Sequence, residues 1–472
     1  MSFSIKFSII NHFKSDSIMQ KIFNATDILD KRALEKFLLS EEILMENAAR
    51  GIAEFIKIRA KKGADILFLC GCGNNGADGF AAARMLAGSF NVSVFCVYPP
   101  KSPLAKLQFS RLKTLNAKIV KSLPKSADIY VDCVLGSGQK GEIDKDFKKL
   151  LLDINAKNGI KITCDIPTAI YSQTPFKADF TLCMGALKAV LFEDFAKDFT
   201  GEIICCDLGV DRSKFEDETD MFLLEKEDLV LPIRERKNSN KGDFGHLAVV
   251  SGDKAGASVL SGLTALSFGA GLVSLLVKER LFEFNPSLMQ TFSIPPKTTA
   301  IIAGMGLGKR EFDLSWFENI PFVIDADLCY DEKIKKLNTA KCVITPHVKE
   351  FASLLEIFGF GMQRVEEIQR KRFFWAREFS LKFKGVLVLK GANTIIAQNG
   401  VLYVCPLGSE ALAKGGSGDV LAGLIGALLA QGRTPLDAAA NGVLAHALAA
   451  LRFKGNNYAL TPEGLIAEIG RL

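Results

Sequence analysis

From Ala64 onward the chain alternates short β-rich apolar runs with longer segments whose apolar residues recur at helical spacing. Ile66–Cys70, Val92–Val97, Ile129–Val134 and Ile160–Cys164 each lead into a turn or a helix-like stretch. Strands separated by helices return to the same edge of a sheet and pair in parallel, so this alternation predicts βαβ units. Ahead of them, Ser40-Glu41-Glu42 is a helix start signal, and Ile43, Leu44, Ala48 and Ile52 fall on one face of a helix running to Arg59. After Gly201–Asp207 the periodicity fades into the charged segment Asp211 to Arg236, which marks the expected boundary. A second α/β series starts at Leu247–Val250, continues through Ile301–Ala303, Phe322–Asp325, Cys342–Thr345 and Val386–Leu389, and closes on an Ala-rich helical stretch. The expected organisation is two α/β domains, residues 1–225 and 226–472, without internal repeats.

Composition supports that division. The chain has 472 residues, against a usual domain size of about 150 residues. With 48% hydrophobic and 24% charged residues it has ample material for buried cores. The net charge of +6 comes from basic residues scattered among acids, not gathered in a stripe, so nucleic acid is not an expected partner. The densest basic stretch, Arg234 to Lys241, reads by itself as a solvated linker. The 11 cysteines lie mostly inside apolar strand-like runs and form no CxxC pair, as reduced core residues do. The uncharged run Val420–Gly432 is shorter than the roughly 20 residues of a membrane span. Lys6, Asn11, His12 and Lys14 interrupt the N-terminus where a signal peptide would be continuously apolar. The cytoplasm is therefore the expected location and a homo-oligomer the expected assembly, with residues 1–18 reading as an extension ahead of Met19.

Two glycine-rich turns carry the candidate chemistry. In the first, the strand ending at Cys70 enters Gly71-Cys72-Gly73-Asn74-Asn75-Gly76-Ala77-Asp78-Gly79, with a helix expected from Phe80. Gly71, Gly73 and Gly76 satisfy GxGxxG, which lets a backbone approach a phosphate at a helix N-terminus, although a tight βα turn has the same pattern. A dinucleotide fold also wants an acid at the end of the second strand. That strand ends Cys96-Val97-Tyr98-Pro99-Pro100, which argues against an ordinary NAD dehydrogenase. Asp132 and Asp165 sit at further strand ends, so Asp78, Asp132 and Asp165 could converge on one crevice; each alone would more often cap a helix.

In the second turn, Lys414-Gly415-Gly416-Ser417-Gly418-Asp419 precedes an apolar helical segment. Successive backbone N–H groups there can bind an anion, and Asp419 in the first helical turn could accept a proton from a hydroxyl attacking phosphorus. The helix dipole would favour its ionised form. Capping alone explains Ser417 and Asp419 equally well. Gly252–Ala257, Ile302–Gly308, Thr345-Pro346-His347 with Glu350-Phe351, and Val388-Leu389-Lys390-Gly391-Ala392-Asn393-Thr394 accompany the turn. His347 in isolation would more often be structural.

Together these motifs resemble two families. Asn74–Gly79, Asp132 with Gly136-Ser137-Gly138, and Asp165-Ile166-Pro167 are similar to the NAD(P)H-hydrate epimerases, over about residues 20–215. The second set resembles the ribokinase-like, ADP- or ATP-dependent NAD(P)H-hydrate dehydratases over about residues 228–472, and takes in Lys237–His246, so the linker reading of that stretch gives way in part. The resemblance implies a Rossmann-like doubly wound sheet followed by a ribokinase-like α/β domain. It implies that Asn74, Asn75, Gly76, Ala77, Asp78, Gly136, Ser137, Gly138, Gln139, Lys140, Gly141, Glu142 and Asp165 hold a hydrated nicotinamide nucleotide, with Asp165 as proton carrier. Asn75, Asp132 and Thr168 would bind K+. In the second half Ala257, Gly306, Gly308, His347 and Asp419 would contact the hydrate, while Lys390, Gly391, Ala392, Asn393, Thr394 and Gly418 would contact ADP or ATP, with Mg2+ on its phosphates. The implied function is repair of hydrated NADH and NADPH, by interconversion of the R and S hydrates and phosphorylation-driven dehydration of the S form. Three departures stand out. Ala77 and Ala169 replace family glycines, the latter expected to reshape the loop at Thr168, and Ala303-Gly304-Met305-Gly306 stands where Gly-Pro-Gly is usual, expected to alter loop stiffness more than chemistry. The alternatives are a ribokinase-like kinase for a small alcohol, and an N-terminal half that only binds a nucleotide or a partner.

Overall fold

The computed structural model describes residues 19–136, 138–139, 143–282, 284–309 and 311–472. The expected extension at residues 1–18 lies outside them. The chain forms two compact units, Lys21–Thr219 and a second made of Asp220–Leu472 with the residues up to Gln20.

The N-terminal unit contains β1 (Ile22–Phe23), β2 (Asp65–Cys70), β3 (Asn91–Cys96), β4 (Lys118–Val120), β5 (Ile129–Cys133), β6 (Ile160–Cys164), β7 (Phe180–Met184), β8 (Leu187–Lys188) and β9 (Glu202–Cys206). Seven of them form a parallel sheet in the order β4-β3-β2-β5-β6-β7-β9, and β1 pairs with β8, Phe23 opposite Lys188. Its longer helices are α1 (Asp27–Phe37), α2 (Glu41–Arg59), α3 (Asn74–Leu86), α4 (Pro103–Lys113) and α5 (Lys145–Asn155). Ile52, Ala83 and Leu112 of α2, α3 and α4 share one core with Phe68 and Val94, whereas Phe147, Leu151 and Ile154 of α5 pack with Leu67, Tyr130 and Phe176 on the other face. Helices therefore cover both faces, and the strand order reverses beside β2, so the carboxyl ends of β2 and β5 flank the crevice where such sheets bind ligands. Ser40 caps α2 as its sequence signalled, accepting from Ile43 N at 3.3 Å.

One boundary differs. Helix α3 begins at Asn74, not Phe80, with Ala77 N bonded to Gly73 O at 3.1 Å. Asn-Asn-Gly reads as a turn, but Gly76 lies so close to the preceding loop that a Cβ would stand 2.1 Å from Gly71 O. That close approach winds the first helical turn onto the glycine loop, and Ala77, fully buried within the helix, occupies backbone open to any residue.

The second unit contains β10 (Met221–Leu223), β11 (His246–Val250), β12 (Leu272–Leu276), β13 (Met289–Thr291), β14 (Ala300–Ala303), β15 (Phe322–Ile324), β16 (Cys342–Ile344), β17 (Val386–Leu389), β18 (Thr394–Gln398) and β19 (Val401–Cys405). They form one ten-stranded sheet, β10-β19-β18-β17-β16-β15-β14-β11-β12-β13, parallel except where β18 runs antiparallel to both its neighbours. Around it stand α6 (Ala255–Ser267), α7 (Val348–Ile357), α8 (Arg372–Lys382), α9 (Ser417–Ala430), α10 (Pro435–Arg452) and α11 (Pro462–Ile469). Helix α9 is buried along almost its whole length, against α6 and α10. Its Gly423 permits that approach, since a Cβ there would meet Ser261 O at 2.5 Å. Strand β10 lies in the segment where the periodicity fades: Met221-Phe222-Leu223 is too short a run among charges to read as a strand, yet it closes the sheet edge against β19, and Leu223 N bonds Gln20 O at 2.8 Å. The unit therefore starts at Asp220, a few residues ahead of the boundary read from the sequence. Among the described residues no helix is long and apolar enough to cross a membrane.

Candidate functional site

In the N-terminal unit the ends of β2, β5 and β6 and helices α1 and α2 enclose a cavity of about 710 Å³, lined by Asn74, Asn75, Asp78, Gly136, Gly138, Gln139 and Asp165 among others. The structure thus brings most of the expected hydrate-binding residues to one space. Gly76 and Ala77 lie beneath it, buried in the first turn of α3. Ser137, Lys140, Gly141 and Glu142 lie outside the described residues. A methyl group at Gly136 would stand 3.5 Å from Asp165 Oδ2 and 3.6 Å from Asn75 Cγ, which places that glycine between the two side chains.

Asp132 and Thr168 form a buried knot. Asp132 Oδ1 accepts from Val134 N (3.2 Å) and Thr168 Oγ1 (2.7 Å), and Oδ2 from Thr163 Oγ1 (2.9 Å) and Thr168 N (2.8 Å). Burial nevertheless outweighs these bonds and pushes the Asp132 carboxyl up to about 6. The Asn75 amide is in the opposite state: its Oδ1 and Nδ2 are both buried and have no hydrogen-bond partner among the described residues. In the loop after β6 an alanine stands where the family glycine is expected. Ala169 itself adopts the left-handed conformation (φ 65°), and its N–H donates to Gln139 Oε1 at 2.9 Å. The loop is therefore strained at Ala169, by about 1–2 kcal/mol for a left-handed L-residue, and Thr168 still reaches Asp132.

Asp165 is also left-handed (φ 72°), and its Oδ1 accepts from Lys188 Nζ at 2.6 Å and from Met184 N at 3.3 Å. Burial opposes the Lys188 ammonium, but the charge and hydrogen bond of Asp165, with the nearby Cys183 and Cys205 thiols, together raise the lysine pKa. The Asp78 carboxyl is raised well above the usual range, first by burial and then by the charge of Asp165. Sequence reasoning missed Lys188. Its one signal is a lysine inside the apolar run Ala186-Leu187-Lys188-Ala189-Val190.

In the second unit the Gly-rich turn leads into α9 through Gly416, left-handed at φ 93°; Ser417 N donates back to Lys414 O at 3.2 Å, and Gly418 and Asp419 follow in the first helical turn, where N–H groups have no partner within the helix. His446 supports the turn from below, its Nε2 3.1 Å from Ser417 Oγ and 3.0 Å from Ser417 O, and burial lowers its pKa to about 4. Lys414 is turned away, donating to Tyr458 O at 2.6 Å. Across from Gly418 stand Lys390 and Asp325: a Cβ on Gly418 would lie 3.5 Å from Lys390 Nζ and 3.7 Å from Asp325 Oδ2. Lys390 Nζ is 2.8 Å from Asp325 Oδ1 and 3.8 Å from Glu350 Oε2. Asp419 does not have the depressed pKa that the dipole suggested. Burial, helped by Asp325 and opposed by Lys390, pushes it up to about 6.

His347 caps α7, its Nδ1 accepting from Lys349 N and Glu350 N at 3.1 and 3.2 Å, while Glu350 Oε2 accepts from His347 N at 2.7 Å. The neutral ring then carries its proton on Nε2, half-exposed and 3.3 Å from Glu350 Oε1. A Cβ on Gly306 would lie 3.3 Å from that of Ala257, and Gly308 N donates to Asp327 Oδ2 at 2.9 Å, so Ala257, Gly306 and Gly308 belong to one pair of packed turns. Met305, just ahead of Gly306, is wholly buried. The segment Lys390–Thr394 joins β17 to β18, and the buried Arg372 of α8 holds it from behind: its guanidinium donates to Asn393 O (2.9 Å), Leu389 O (3.0 Å) and Lys390 O (3.2 Å). Asp325 and Arg372 were not read from the sequence as site residues.

The family model described as NAD(P)H-hydrate dehydratase matches residues 247–471, and that described as YjeF-related protein N-terminus matches residues 41–190. The bifunctional NAD(P)H-hydrate repair enzyme Nnr of Helicobacter pylori is 45% identical over 96% of this chain and 100% of its own length. The chain belongs to the bifunctional NAD(P)H-hydrate repair enzyme family. The Escherichia coli member is 34% identical over 81% of this chain and 80% of its own. A solved ADP/ATP-dependent NAD(P)H-hydrate dehydratase from Bacillus subtilis, co-crystallised with ATP/Mg2+, is 27% identical over 51% of this chain and 92% of its own, with a TM-score of 0.43. The pairing of an epimerase half with a dehydratase half is what the motifs implied.

Proposed function

We propose that the N-terminal unit interconverts the R and S hydrates of NADH and NADPH in the cavity bounded by Asn74–Asp78, Gly136 and Asp165, and that the second unit dehydrates the S hydrate after phosphorylating it from ADP or ATP. The observation that carries the reading is the position of Asp419, in the first turn of a glycine-opened helix and beside the Lys390–Asp325 pair.

A hydroxyl on C6 of the hydrated ring is a poor leaving group, and its phosphate ester is a good one. Asp419, pushed up to about 6, is mostly ionised at neutral pH and basic enough to take the hydroxyl proton as oxygen attacks phosphorus. Lys390, held by Asp325 and Glu350, supplies positive charge, and the N–H groups of Gly418 and Asp419 supply donors for the transferring phosphoryl group. Phosphate then departs as the ring nitrogen lone pair restores the C5=C6 bond. Ala257, Gly306, Gly308 and His347 would border the hydrate, and Lys390–Thr394 with Gly418 the nucleotide.

Two cations accompany the reading. The partnerless Asn75 amide oxygen, the Thr168 hydroxyl and the buried charge of Asp132 suit K+, which would neutralise that charge beside the hydrate phosphates. Mg2+, which binds mainly through substrate phosphates and one or two carboxylates, would travel on the nucleotide phosphates. The experiment is Asp419→Asn in the full chain: dehydration should fall at least about 100-fold, the low end of general-base contributions, while epimerisation persists. Loss of both activities would contradict separate sites, and loss of neither would contradict Asp419 as the base.

A further inference from the structure

The floor of the N-terminal cavity holds two carboxylates and a lysine whose roles differ by surroundings. Asp165 is fixed on both sides. Its N–H donates to Leu182 O at 2.7 Å, its Oδ1 is clamped by Lys188 Nζ and Met184 N, and its Oδ2 is the oxygen facing Gly136. Lys188 is itself held: its backbone pairs with Phe23 across β1 and β8, its Nζ also donates to Met184 O at 3.2 Å, and its side chain is 5% exposed. Among the described residues no cation pairs with Asp78, at the end of the first turn of α3. The charged groups it faces are Asp165 and Asp30, and beneath it lie the thiols of Cys164, 3.9 Å away, Cys133 and Cys70. Around Lys188 the other titrating groups are Asp30 on α1, which also senses Asp27 and Glu41, and Cys183 and Cys205 on β7 and β9.

We propose that Asp78 is the proton donor and Asp165 the proton acceptor of the N-terminal reaction, with Lys188 as the positioning residue that holds Asp165 in its role. The proposal rests on the epimerase reading above. Burial and the surrounding negative charge raise the Asp78 carboxyl, which suits it to donate, while the Lys188 ammonium holds Asp165 by Oδ1 and leaves Oδ2, facing Gly136, turned to the cavity to accept. Asp78 protonates the C6 hydroxyl; the C6–O bond breaks, water leaves, and the N1 lone pair forms a C6=N1 iminium. Water then adds to the opposite face, Asp165 takes its proton as the new C6–O bond forms, and the electron pair returns to N1. One proton has moved from Asp78 to Asp165, and solvent returns it. No oxidant or reductant is needed.

The test uses the full-length chain, separated hydrate epimers and no nucleotide, in water carrying heavy oxygen. Wild type should epimerise faster than the spontaneous rate and place solvent oxygen at C6. Asp78→Asn should lower kcat at least about 100-fold with KM little changed, as loss of a general acid does. Lys188→Arg should keep activity within about tenfold. Lys188→Met should be slower, with the acidic limb of its pH profile moved to higher pH, because a carboxylate without its cation is harder to ionise. Wild-type kcat in Asp78→Asn, an unmoved acidic limb in Lys188→Met, or epimerisation without heavy oxygen would each overturn the proposal. If Asp78→Asn does not fold, the Lys188 pair decides. A wild-type chain that does not epimerise would refute the epimerase reading itself.

Discussion

Ala169 and Asp165 both occupy left-handed backbone in the loop after β6, and only one of them has a side chain with chemistry to perform there. Ala169 is fully buried beside Thr168, so Ala169→Gly should relieve the backbone at a stability change of no more than about 1 kcal/mol, whereas Ala169→Val should destabilise the N-terminal unit by about 2 kcal/mol or more. Thermal unfolding of the two variants checks both; equal stability would show that the loop can move. Asp419 gives a pH prediction. Its carboxylate is the reactive form and its pKa in the free protein is about 6, so kcat/KM for dehydration should rise with pH through about 6 and then level off. A profile flat from pH 5 to 8 would remove Asp419 as the base. Asp419 and His347 were legible as residues because their motifs are local: a Gly-rich turn and a Thr-Pro-His cap. Lys188, Asp325 and Arg372 were not, because each acquires its role from a partner 17 to 65 residues away.

Helix α8 illustrates the same limit one level up. Its first residue, Arg372, is fully buried and satisfies three carbonyls of the β17–β18 connection, so the segment expected to meet the nucleotide is shaped by a helix that no nucleotide motif contains. Arg372→Met should cost about 2–4 kcal/mol and raise KM for the nucleotide more than it lowers kcat, since charge-assisted hydrogen bonds are worth about 1.5–3 kcal/mol each and part can be recovered by water. Steady-state kinetics with unfolding measurements would detect it; an unchanged nucleotide KM would mean the loop holds its shape unaided. The elements visible in the sequence were apolar runs of four or five residues such as β6, β11 and β17. The three-residue strands β4, β10 and β13 were not visible, since pairing with a neighbour and not their own composition makes them strands. The start of α3 was missed for a related reason: Asn74-Asn75-Gly76 has turn chemistry, and only the contact with Gly71 shows it to be helical.

At the scale of the whole molecule, two α/β units carry complementary steps. Dehydration of only the S form would strand the R hydrate, and an epimerase on the same chain removes that limit. Charge follows the same division: the N-terminal cavity offers a lysine-held carboxylate and a buried amide without partners, suited to proton exchange, while the second unit offers helix N–H groups and a carboxylate-held lysine, suited to phosphoryl transfer. Fold class was legible because apolar runs alternate with helical segments and the glycine turns sit at strand ends, where a parallel sheet places its ligands, whereas the pairing of activities was legible only through the resemblance of the motifs to two families. The most direct measurement takes the purified R and S hydrates of NADH separately, each with ADP or ATP, and follows the absorbance of the reduced nicotinamide. Both epimers should return fully to NADH with nucleotide, and without it they should interconvert and give none. Failure of either epimer to be recovered beyond the spontaneous rate, or accumulation of a stable phosphorylated alcohol, would contradict the account.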